Sequence, residues 1–220
     1  MSISTENFIK NIYVLQASPA ERFKSSVLAE RLSISKAAVT DMLRKLKSEG
    51  LVHYEKYSAP SLTSRGEKLA LSIIRKHRLW ETFLNRHLGI PWERVHQEAE
   101  LLEHASSDDL TNHLDAFMGH PAFDPHGDPI PDAHGNIPEK DNQLLLSKVQ
   151  ENGAYIISRI DDNSVELLEF LKKHKLKPEA QVNILEIAED NSMIIEYKNK
   201  KLRVNKSLCN NLYAIKNTQI

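Results

Sequence analysis

The sequence is poor in cysteine and contains no long apolar run. Cys209 is the only cysteine among 220 residues, which excludes an internal disulfide and a zinc finger built from cysteines. No run approaches the ~18 consecutive apolar residues that suggest a membrane helix. The N-terminus, MSISTENFIKN, lacks the charged, apolar and small-residue regions of a signal peptide. We therefore expect a cytoplasmic protein with no membrane partner.

Patterns typical of enzymes are also missing. The chain has no Gly-rich phosphate loop and no H-E-x-x-H pair of a zinc protease. No Ser/His/Asp or Cys/His arrangement stands out as a nucleophile with its base. These absences predict a protein that is not an enzyme and takes no organic substrate.

The net charge of −1 conceals an uneven distribution. Residues 1–76 carry 13 basic and 7 acidic side chains, whereas residues 77–220 carry 16 basic and 23 acidic ones. A basic first part and an acidic remainder indicate that the first part binds a polyanion and that the rest has another task.

The basic part has the pattern of a winged helix-turn-helix. The short helix VLAERL precedes a tight turn at 33–35, and the helix KAAVTDMLRKLKSE follows with a stripe at Val39, Leu43 and Leu46. Gly50 suits the left-handed residue that ends such a helix. The segments LVHYEKY and SLT predict a hairpin, the wing. Because the second helix of this motif enters the major groove, double-stranded DNA is the expected partner.

One face of the second helix lies outside the apolar stripe and predicts the contacts to DNA. Basic side chains meet phosphates, and small ones let the backbone approach the bases. The expected DNA-binding residues are Ser35, Lys36, Ala37, Ala38, Thr40, Arg44 and Lys45. A three-helix core could use the same pattern for packing alone. Turn, basic helix, wing and charge distribution together favour DNA binding.

The remainder of the chain divides into helices, a loop and short strands. The residues from Ser64 to Glu67 predict a capping box that opens a long helix, and Pro91 predicts the start of the next helix. Five of the nine prolines and three of the seven glycines lie in 119–140, which predicts a loop. After residue 144, β-branched runs predict a small barrel-like domain. Long helices beside a DNA-binding unit predict a homodimer, since palindromic operators call for two-fold proteins.

The decapeptide VHQEAELLEH, residues 95–104, concentrates side chains of the metal-ligand type. Its four candidates lie within an arc of roughly 100° on a helix, and two more share a face of the preceding helix. The six residues are His77, Glu81, His96, Glu100, Glu103 and His104. Imidazoles with carboxylates suit a divalent first-row metal. A face of salt bridges to nearby arginines is the alternative, but six such residues on two helices favour a metal.

These features together resemble the diphtheria-toxin-repressor family, and within it the three-domain manganese-dependent regulators. The resemblance lies in the order of a winged helix-turn-helix, RKHRLWETFL, VHQEAELLEH, a Pro/Gly/His loop and a small β domain, and it covers essentially the whole chain. It implies an α+β, mainly helical fold. The domains expected are a winged helix-turn-helix at 1–74, a helical metal-binding and dimerisation domain at 75–140, and an SH3-like (FeoA-like) domain at 141–220. The implied function is a metal-activated, DNA-binding repressor of metal-uptake genes.

The resemblance also implies two ions per chain and a ligand set for each. The primary site is expected to use Glu100, Glu103 and His104, with His77 nearby and a contribution from Asn7 or Glu6 on the first helix. The second site is expected to combine Glu81, Asp124, His126 and Asp162, with His96 as a further candidate.

The donor atoms favour Mn²⁺. Glu100 stands where iron-type repressors carry a cysteine, and Asp124 stands where close relatives often have one. Oxygen in place of sulfur suits a harder ion, with Fe²⁺, Co²⁺ and Zn²⁺ as the alternatives. Asn7 stands where manganese-type members usually have an acid, so this ligand brings no charge. Two other functions stay open: a regulator that senses Fe²⁺ or an organic ligand with a structural His/Glu cluster, and a metal-dependent hydrolase.

Overall fold

The chain forms two compact units whose segments alternate along the sequence. A computed structural model describes residues 2–17, 25–55, 58–161 and 164–218. The first unit comprises residues 1–80, 97–120 and 131–137, and the second comprises 81–96, 121–130 and 138–220. The division into three domains after residues 74 and 140 stays a prediction.

The first unit begins with a three-helix core and a wing. Its elements are α1 (Ile3–Ala17), α2 (Ser25–Arg31), α3 (Lys36–Ser48), β1 (Val52–His53) and β2 (Ser61–Leu62). The predicted stripe Val39, Leu43 and Leu46 is buried in a core that also contains apolar residues of α1. Strands β1 and β2 pair antiparallel, which confirms the hairpin. Lys56 and Tyr57, which belong to the predicted wing, lie outside the described residues.

The ends of α3 follow from local chemistry. Ser35 precedes the helix, and its Oγ accepts a hydrogen bond from the Ala38 amide at 3.1 Å, as an N-cap residue does. After the helix, Gly50 has φ of 69°, a conformation that glycine adopts without a Cβ penalty. The expected stop at this glycine is confirmed.

Three more helices follow, and the starts of the first two differ from the sequence prediction. They are α4 (Ser64–Arg86), α5 (Val95–Ala105) and α6 (Asp108–Phe117). The cap of α4 is Thr63 and not Ser64, because Thr63 Oγ1 accepts from the Gly66 amide at 3.1 Å. Pro91 opens a turn that precedes α5, so this helix begins at Val95, four residues later than expected.

The second unit contains a six-stranded antiparallel sheet with strand order β3-β8-β4-β5-β6-β7. Its elements are β3 (Leu144–Leu145), a 3₁₀ turn (Leu146–Lys148), β4 (Gly153–Ile160), α7 (Val165–His174), β5 (Gln181–Ile187), β6 (Met193–Tyr197), β7 (Lys200–Val204), α8 (Lys206–Cys209) and β8 (Leu212–Lys216). Register shifts interrupt β4 and β5, and such bulges bend and twist a strand. The sheet and α7 enclose the core of this unit.

No helix in the described part of the chain is long and apolar enough to cross a membrane.

Candidate metal centres and DNA-contacting face

The first candidate metal centre lies in the first unit and is built on helices. Ligand atoms of Glu100, Glu103 and His104, all on α5, lie within 4.8 Å of one another. The Glu103 side chain is fully buried, whereas the Glu100 side chain is 33% exposed. Below, the first cluster means these three residues, the residues that contact them (Glu6, Lys10 and His77), and Asn7, which follows Glu6 on α1.

His104 is oriented with one ring nitrogen available to a metal. Its Nδ1 lies 2.5 Å from Glu6 Oε2, and because a carboxylate only accepts, Nδ1 carries the proton. The Nε2 atom is buried and has no hydrogen-bond partner among the described residues, although Glu103 Oε1 lies 3.2 Å away. Histidine ligands of metals donate their other N–H to a carboxylate or carbonyl in this way.

Asn7 supplies a second atom that lacks a partner. Its Oδ1 is buried and accepts no hydrogen bond from any described residue. A buried acceptor left in this state costs about 1–3 kcal/mol, which a cation would offset. Glu6, by contrast, is already engaged with His104. The first cluster fits a metal ion because His104 Nε2, which has no hydrogen-bond partner among the described residues, lies beside the carboxylates of Glu100 and Glu103.

His77, on α4, contacts the buried acid of the cluster. Its Nδ1 hydrogen-bonds to Glu103 Oε2 and lies 3.8 Å from Glu100 Oε2. The predicted proximity of His77 to this group is therefore present. In this arrangement the imidazole orients the Glu103 carboxylate.

Lys10 is a member of the cluster that the sequence did not predict. Its Nζ lies 2.6 Å from Glu100 Oε2 and 2.6 Å from Glu103 Oε1. A signal was present, since Lys10 follows Glu6 by four residues and Asn7 by three. Such spacings place side chains on one face of a helix.

Polar contacts fix the helices that carry the cluster. Trp80 Nε1 donates to Ser106 Oγ at 2.7 Å, and Lys76 Nζ donates to the Ser106 carbonyl at 3.0 Å. Arg75 pairs with Asp115 of α6 at 2.9 Å. These bonds join α4 to the end of α5 and to α6, which positions His77 beside Glu103.

The second candidate metal centre lies in the second unit. Ligand atoms of Glu81, Asp124 and His126 lie within 4.8 Å of one another, and all three residues are buried. His126 Nε2 donates to the Trp92 carbonyl at 3.0 Å. Its Nδ1 consequently bears the lone pair in the neutral ring, and it lies 3.6 Å from Glu81 Oε2. Below, the second cluster means these three residues together with His96.

Backbone contacts hold the loop of the second cluster. Asp124 Oδ1 accepts from the amides of His126 and Asp128 at 2.8 and 2.9 Å. Gly127, with φ of +87°, lies so close to β4 that an added Cβ would be 2.1 Å from the Ser158 carbonyl oxygen. This close approach requires glycine.

The structure places the remaining predicted ligands as follows. His96 Nδ1 lies 3.4 Å from Glu81 Oε1, and its side chain is 53% exposed. It therefore borders the second cluster at the protein surface. Asp162 lies outside the described residues.

Neither cluster contains sulfur. Cys209 lies in the core of the second unit, where burial raises the pKa of its thiol to about 12. A metal ligand must be a thiolate, so this residue is unsuited to the role. The donor atoms of both clusters are carboxylate, amide and imidazole atoms, which suit a hard or borderline divalent ion.

The predicted DNA-contacting face is exposed on α3. Lys36, Ala37, Ala38, Arg44 and Lys45 are exposed, as is Ser35. Thr40 is half-buried and donates its hydroxyl to the Lys36 carbonyl at 3.0 Å.

A winged helix-turn-helix with an exposed basic face, in one chain with buried His/carboxylate clusters, defines a metal-responsive DNA-binding protein. Residues 1–59 match the iron-dependent repressor N-terminal DNA-binding domain. Residues 63–132 match the metal-binding and dimerisation domain of the same repressors, and residues 144–215 match the FeoA domain. The chain belongs to the iron-dependent repressor family, to which the diphtheria toxin repressor belongs.

Individual relatives agree with this assignment. The diphtheria toxin repressor of Corynebacterium jeikeium is 30% identical over 72% of this chain and 67% of its own length. The structure of the manganese regulator SloR is 35% identical, covers 99% of this chain and 100% of its own, and superposes with a TM-score of 0.83. A manganese-dependent transcriptional repressor in complex with manganese is 30% identical over 96% of this chain and 99% of its own, with a TM-score of 0.85.

The family settles the general function. The protein is a metal-dependent transcriptional repressor that binds DNA and carries a dimerisation domain. The predicted fold, including the SH3-like FeoA domain, is confirmed, and the family consists of regulators and not of enzymes. The hydrolase hypothesis is therefore wrong.

Proposed function

We propose that this protein is a Mn²⁺-activated repressor of metal-uptake genes that binds a palindromic operator as a homodimer, with two ions per chain. The observation that carries this proposal is the sulfur-free set of donor atoms in both clusters. Carboxylate and amide oxygens suit Mn²⁺, whereas sulfur ligands would select softer ions. The names of two structural neighbours, which describe manganese-responsive regulators, support the same ion.

In the first cluster, the ion would be held by Asn7, Glu100, Glu103 and His104. The unpaired Asn7 Oδ1 and His104 Nε2 support the amide and the imidazole as ligands. Glu6 and His77 would not bind the ion themselves but would hold its ligands. Glu6 already hydrogen-bonds to His104, and His77 already hydrogen-bonds to Glu103. Such outer partners fix the orientation of the ligands.

In the second cluster, the ion would be held by Glu81, Asp124 and His126 Nδ1. The hydrogen bond from His126 Nε2 to a backbone carbonyl supports this tautomer. His96, beside Glu81 at the surface, and Asp162 are the further ligands that we propose for this site.

Helix α1 would couple the first cluster to DNA binding. One face of α1 carries Glu6 and Asn7, and another face buries Phe8, Ile9 and Ile12 in the core that also contains the α3 stripe. A bound ion would supply positive charge that draws α1 and α5 together. Fixing α1 would reduce the range of orientations that α3 adopts. DNA affinity would rise because a larger fraction of the protein would be in the conformation that binds DNA. The coupling is reciprocal, so operator DNA should also tighten metal binding.

The exposed face of α3 would make two kinds of contact. Lys36, Arg44 and Lys45 would neutralise phosphates. Removal of one of these charges should make the slope of log K for DNA binding against log salt concentration shallower by roughly one unit. Ser35, Ala37, Ala38 and Thr40 would lie near the bases, where small side chains permit close approach.

Apolar side chains exposed in the first unit support the dimer contact. Leu101 on α5 and Leu110 and Phe117 on α6 are exposed and fall within the segment that matches the dimerisation domain. Exposed apolar groups of this size commonly mark an interface between proteins.

Operator retention as a function of free metal tests the proposal. Wild-type protein should bind operator DNA with Mn²⁺ and release it when the metal is chelated. Glu103→Ala should abolish this Mn²⁺ response, because it removes the fully buried carboxylate of the first cluster. Glu98→Ala, at an exposed position of the same helix, is the matched control. An unchanged response in Glu103→Ala would contradict the assignment of the first site, and equal activation by Zn²⁺ and Fe²⁺ at free concentrations near physiological levels would contradict the choice of Mn²⁺.

A further inference from the structure

The ammonium group of Lys10 lies among the carboxylates of the first cluster. Its Nζ hydrogen-bonds to Glu100 Oε2 and to Glu103 Oε1, each at 2.6 Å, and its side chain is only 12% exposed. Charge-assisted bonds of this kind are among the strongest that side chains make. Lys10 is therefore a resident cation of the cluster and not a surface lysine.

One of the two oxygen atoms that bind Lys10 also lies beside the candidate nitrogen ligand of the cluster. Glu103 Oε1, which accepts from Lys10, also lies 3.2 Å from His104 Nε2, an atom with no hydrogen-bond partner among the described residues. An ammonium group has three donors and no acceptor, so it cannot ligate a metal, and two cations at one carboxylate oxygen repel each other. A divalent ion can bind here only when the ammonium leaves at least one of its two partners.

The charges of the cluster permit this exchange. The cluster contains three carboxylates, those of Glu6, Glu100 and Glu103, and one ammonium group, so a negative excess remains to attract a divalent ion. Lysine has a flexible four-carbon stem and a strongly hydrated head group, and this side chain is already partly in contact with solvent. Displaced from the carboxylates, the ammonium can extend into water.

We propose that Lys10 is a tethered cation that competes with the divalent ion for Glu100 and Glu103, and that it thereby sets the metal concentration at which the repressor responds. This inference rests on the proposed metal site in the first cluster. Lys10 counters the buried charge of Glu103 when metal is scarce, and it weakens metal binding by the free energy needed to break its two bonds. Lys10 thus lowers the affinity for metal and stabilises the protein when no metal is bound.

Removal of the ammonium should tighten metal binding and destabilise the protein without metal. Two charge-assisted hydrogen bonds are lost in Lys10→Met, so Mn²⁺ should bind roughly ten- to hundred-fold more tightly to the first cluster. Without metal, the same variant should unfold at a lower temperature, because the buried Glu103 carboxylate loses its counter-charge. Its gain in unfolding temperature on adding Mn²⁺ should exceed that of the wild type.

Calorimetric titration of the full-length protein with Mn²⁺ tests this inference. All variants carry Glu81→Gln, so that the first cluster dominates the titration. Lys10→Met and Lys10→Gln remove the charge, and Lys10→Arg retains it as the matched control. Tighter binding in a neutral variant but not in Lys10→Arg is the expected result. Lys10→Gln keeps a polar donor and should also bind Mn²⁺ more tightly, so it tests the inference if Lys10→Met does not fold.

The outcomes separate this inference from the proposed function. Equal or weaker Mn²⁺ binding in the neutral variants would overturn the competition by Lys10 while leaving the metal site in place. If Glu103→Ala in the same background binds Mn²⁺ as the parent does, the first cluster is not a metal site, and both the proposed function and this inference fail. Thermal unfolding with and without Mn²⁺ provides a second readout that does not depend on DNA binding.

Discussion

The two clusters contain similar donor atoms but are built in different ways. The first takes its side chains from three helices, α1, α4 and α5, and its Glu100 is a third exposed. The second takes Asp124 and His126 from a loop that packs closely against β4. The side chains of Glu81, Asp124 and His126 are at most 3% exposed. One cluster depends on the packing of helices, and the other depends on the path of the backbone.

This difference predicts different responses to metal. In the first cluster Lys10 bonds to two of the proposed ligands, while Asn7 Oδ1 and His104 Nε2 lack partners among the described residues, so metal binding must rearrange side chains on α1. In the second cluster two backbone amides already orient Asp124, so little rearrangement is needed. The first cluster is therefore suited to sensing, and the second to holding its loop in place.

Loss of one ligand should remove one ion and leave the other. Glu81→Gln keeps the shape of a buried side chain but removes its charge, so the second cluster should lose roughly 100-fold or more in Mn²⁺ affinity. Equilibrium dialysis with metal analysis should then count one ion per chain in place of two. Glu98→Gln, exposed on α5, is the control. Two tightly bound ions in Glu81→Gln would contradict the assignment of the second cluster.

A pair of glycines tests the dependence on backbone. Gly127 and Gly135 occupy turns of the same form, each with φ of +87°, but a Cβ at Gly127 meets the Ser158 carbonyl at 2.1 Å, whereas one at Gly135 meets a side-chain carbon of Leu71 at 3.3 Å. Both Ala variants incur the strain of positive φ, and Gly127→Ala should lose ~1–3 kcal/mol more, since a rigid backbone must shift.

Urea unfolding measures this difference in stability. Gly127→Ala should also weaken Mn²⁺ binding at the second cluster, because the turn between Asp124 and Asp128 is displaced. Gly135→Ala should leave that binding unchanged. Equal losses of stability in the two variants would show that the loop tolerates movement away from β4.

The same substitution in each cluster tests how far donor type sets metal choice. Glu100→Cys and Asp124→Cys each introduce a soft thiolate, which should raise the preference for Zn²⁺ over Mn²⁺ roughly ten-fold. Competition titrations with a metal indicator give the ratio. If only one variant changes its preference, selectivity resides in that cluster. An unchanged preference in both variants would show that neither of these two carboxylates sets the choice of metal.

The smallest effect is expected at Asn7. Asn7→Asp adds a charge to the proposed amide ligand and should tighten Mn²⁺ binding roughly three- to ten-fold, offset in part by repulsion from neighbouring carboxylates. Asn11→Asp adds the same charge one turn further along α1 and is the matched control. Calorimetry should distinguish the two, and an equal effect would indicate long-range attraction and not ligation by Asn7.

Local pattern was sufficient for much of the fold. The stripe at Val39, Leu43 and Leu46 predicted α3 because apolar residues at this spacing fall on one face of a helix. Starts of helices were harder, since Thr63 and Ser64 are both good caps and only the backbone path selects Thr63. The sequence pattern did not reveal that one turn of the loop is repeated. The turn from Asp124 to Asp128 recurs from Asp132 to Asn136 with the same hydrogen bonds, but its second copy is exposed.

The sequence by itself determined the class of the protein and the kinds of donor atoms, since spacing along α5 places Glu100, Glu103 and His104 together in any helix. Only the tertiary structure decided which atoms meet across elements. Lys10 reaches two carboxylates that lie 90 and 93 positions away along the chain, and Glu6, rather than Asn7, bonds to His104. Contacts at such separations depend on how helices pack, which helical periodicity does not encode.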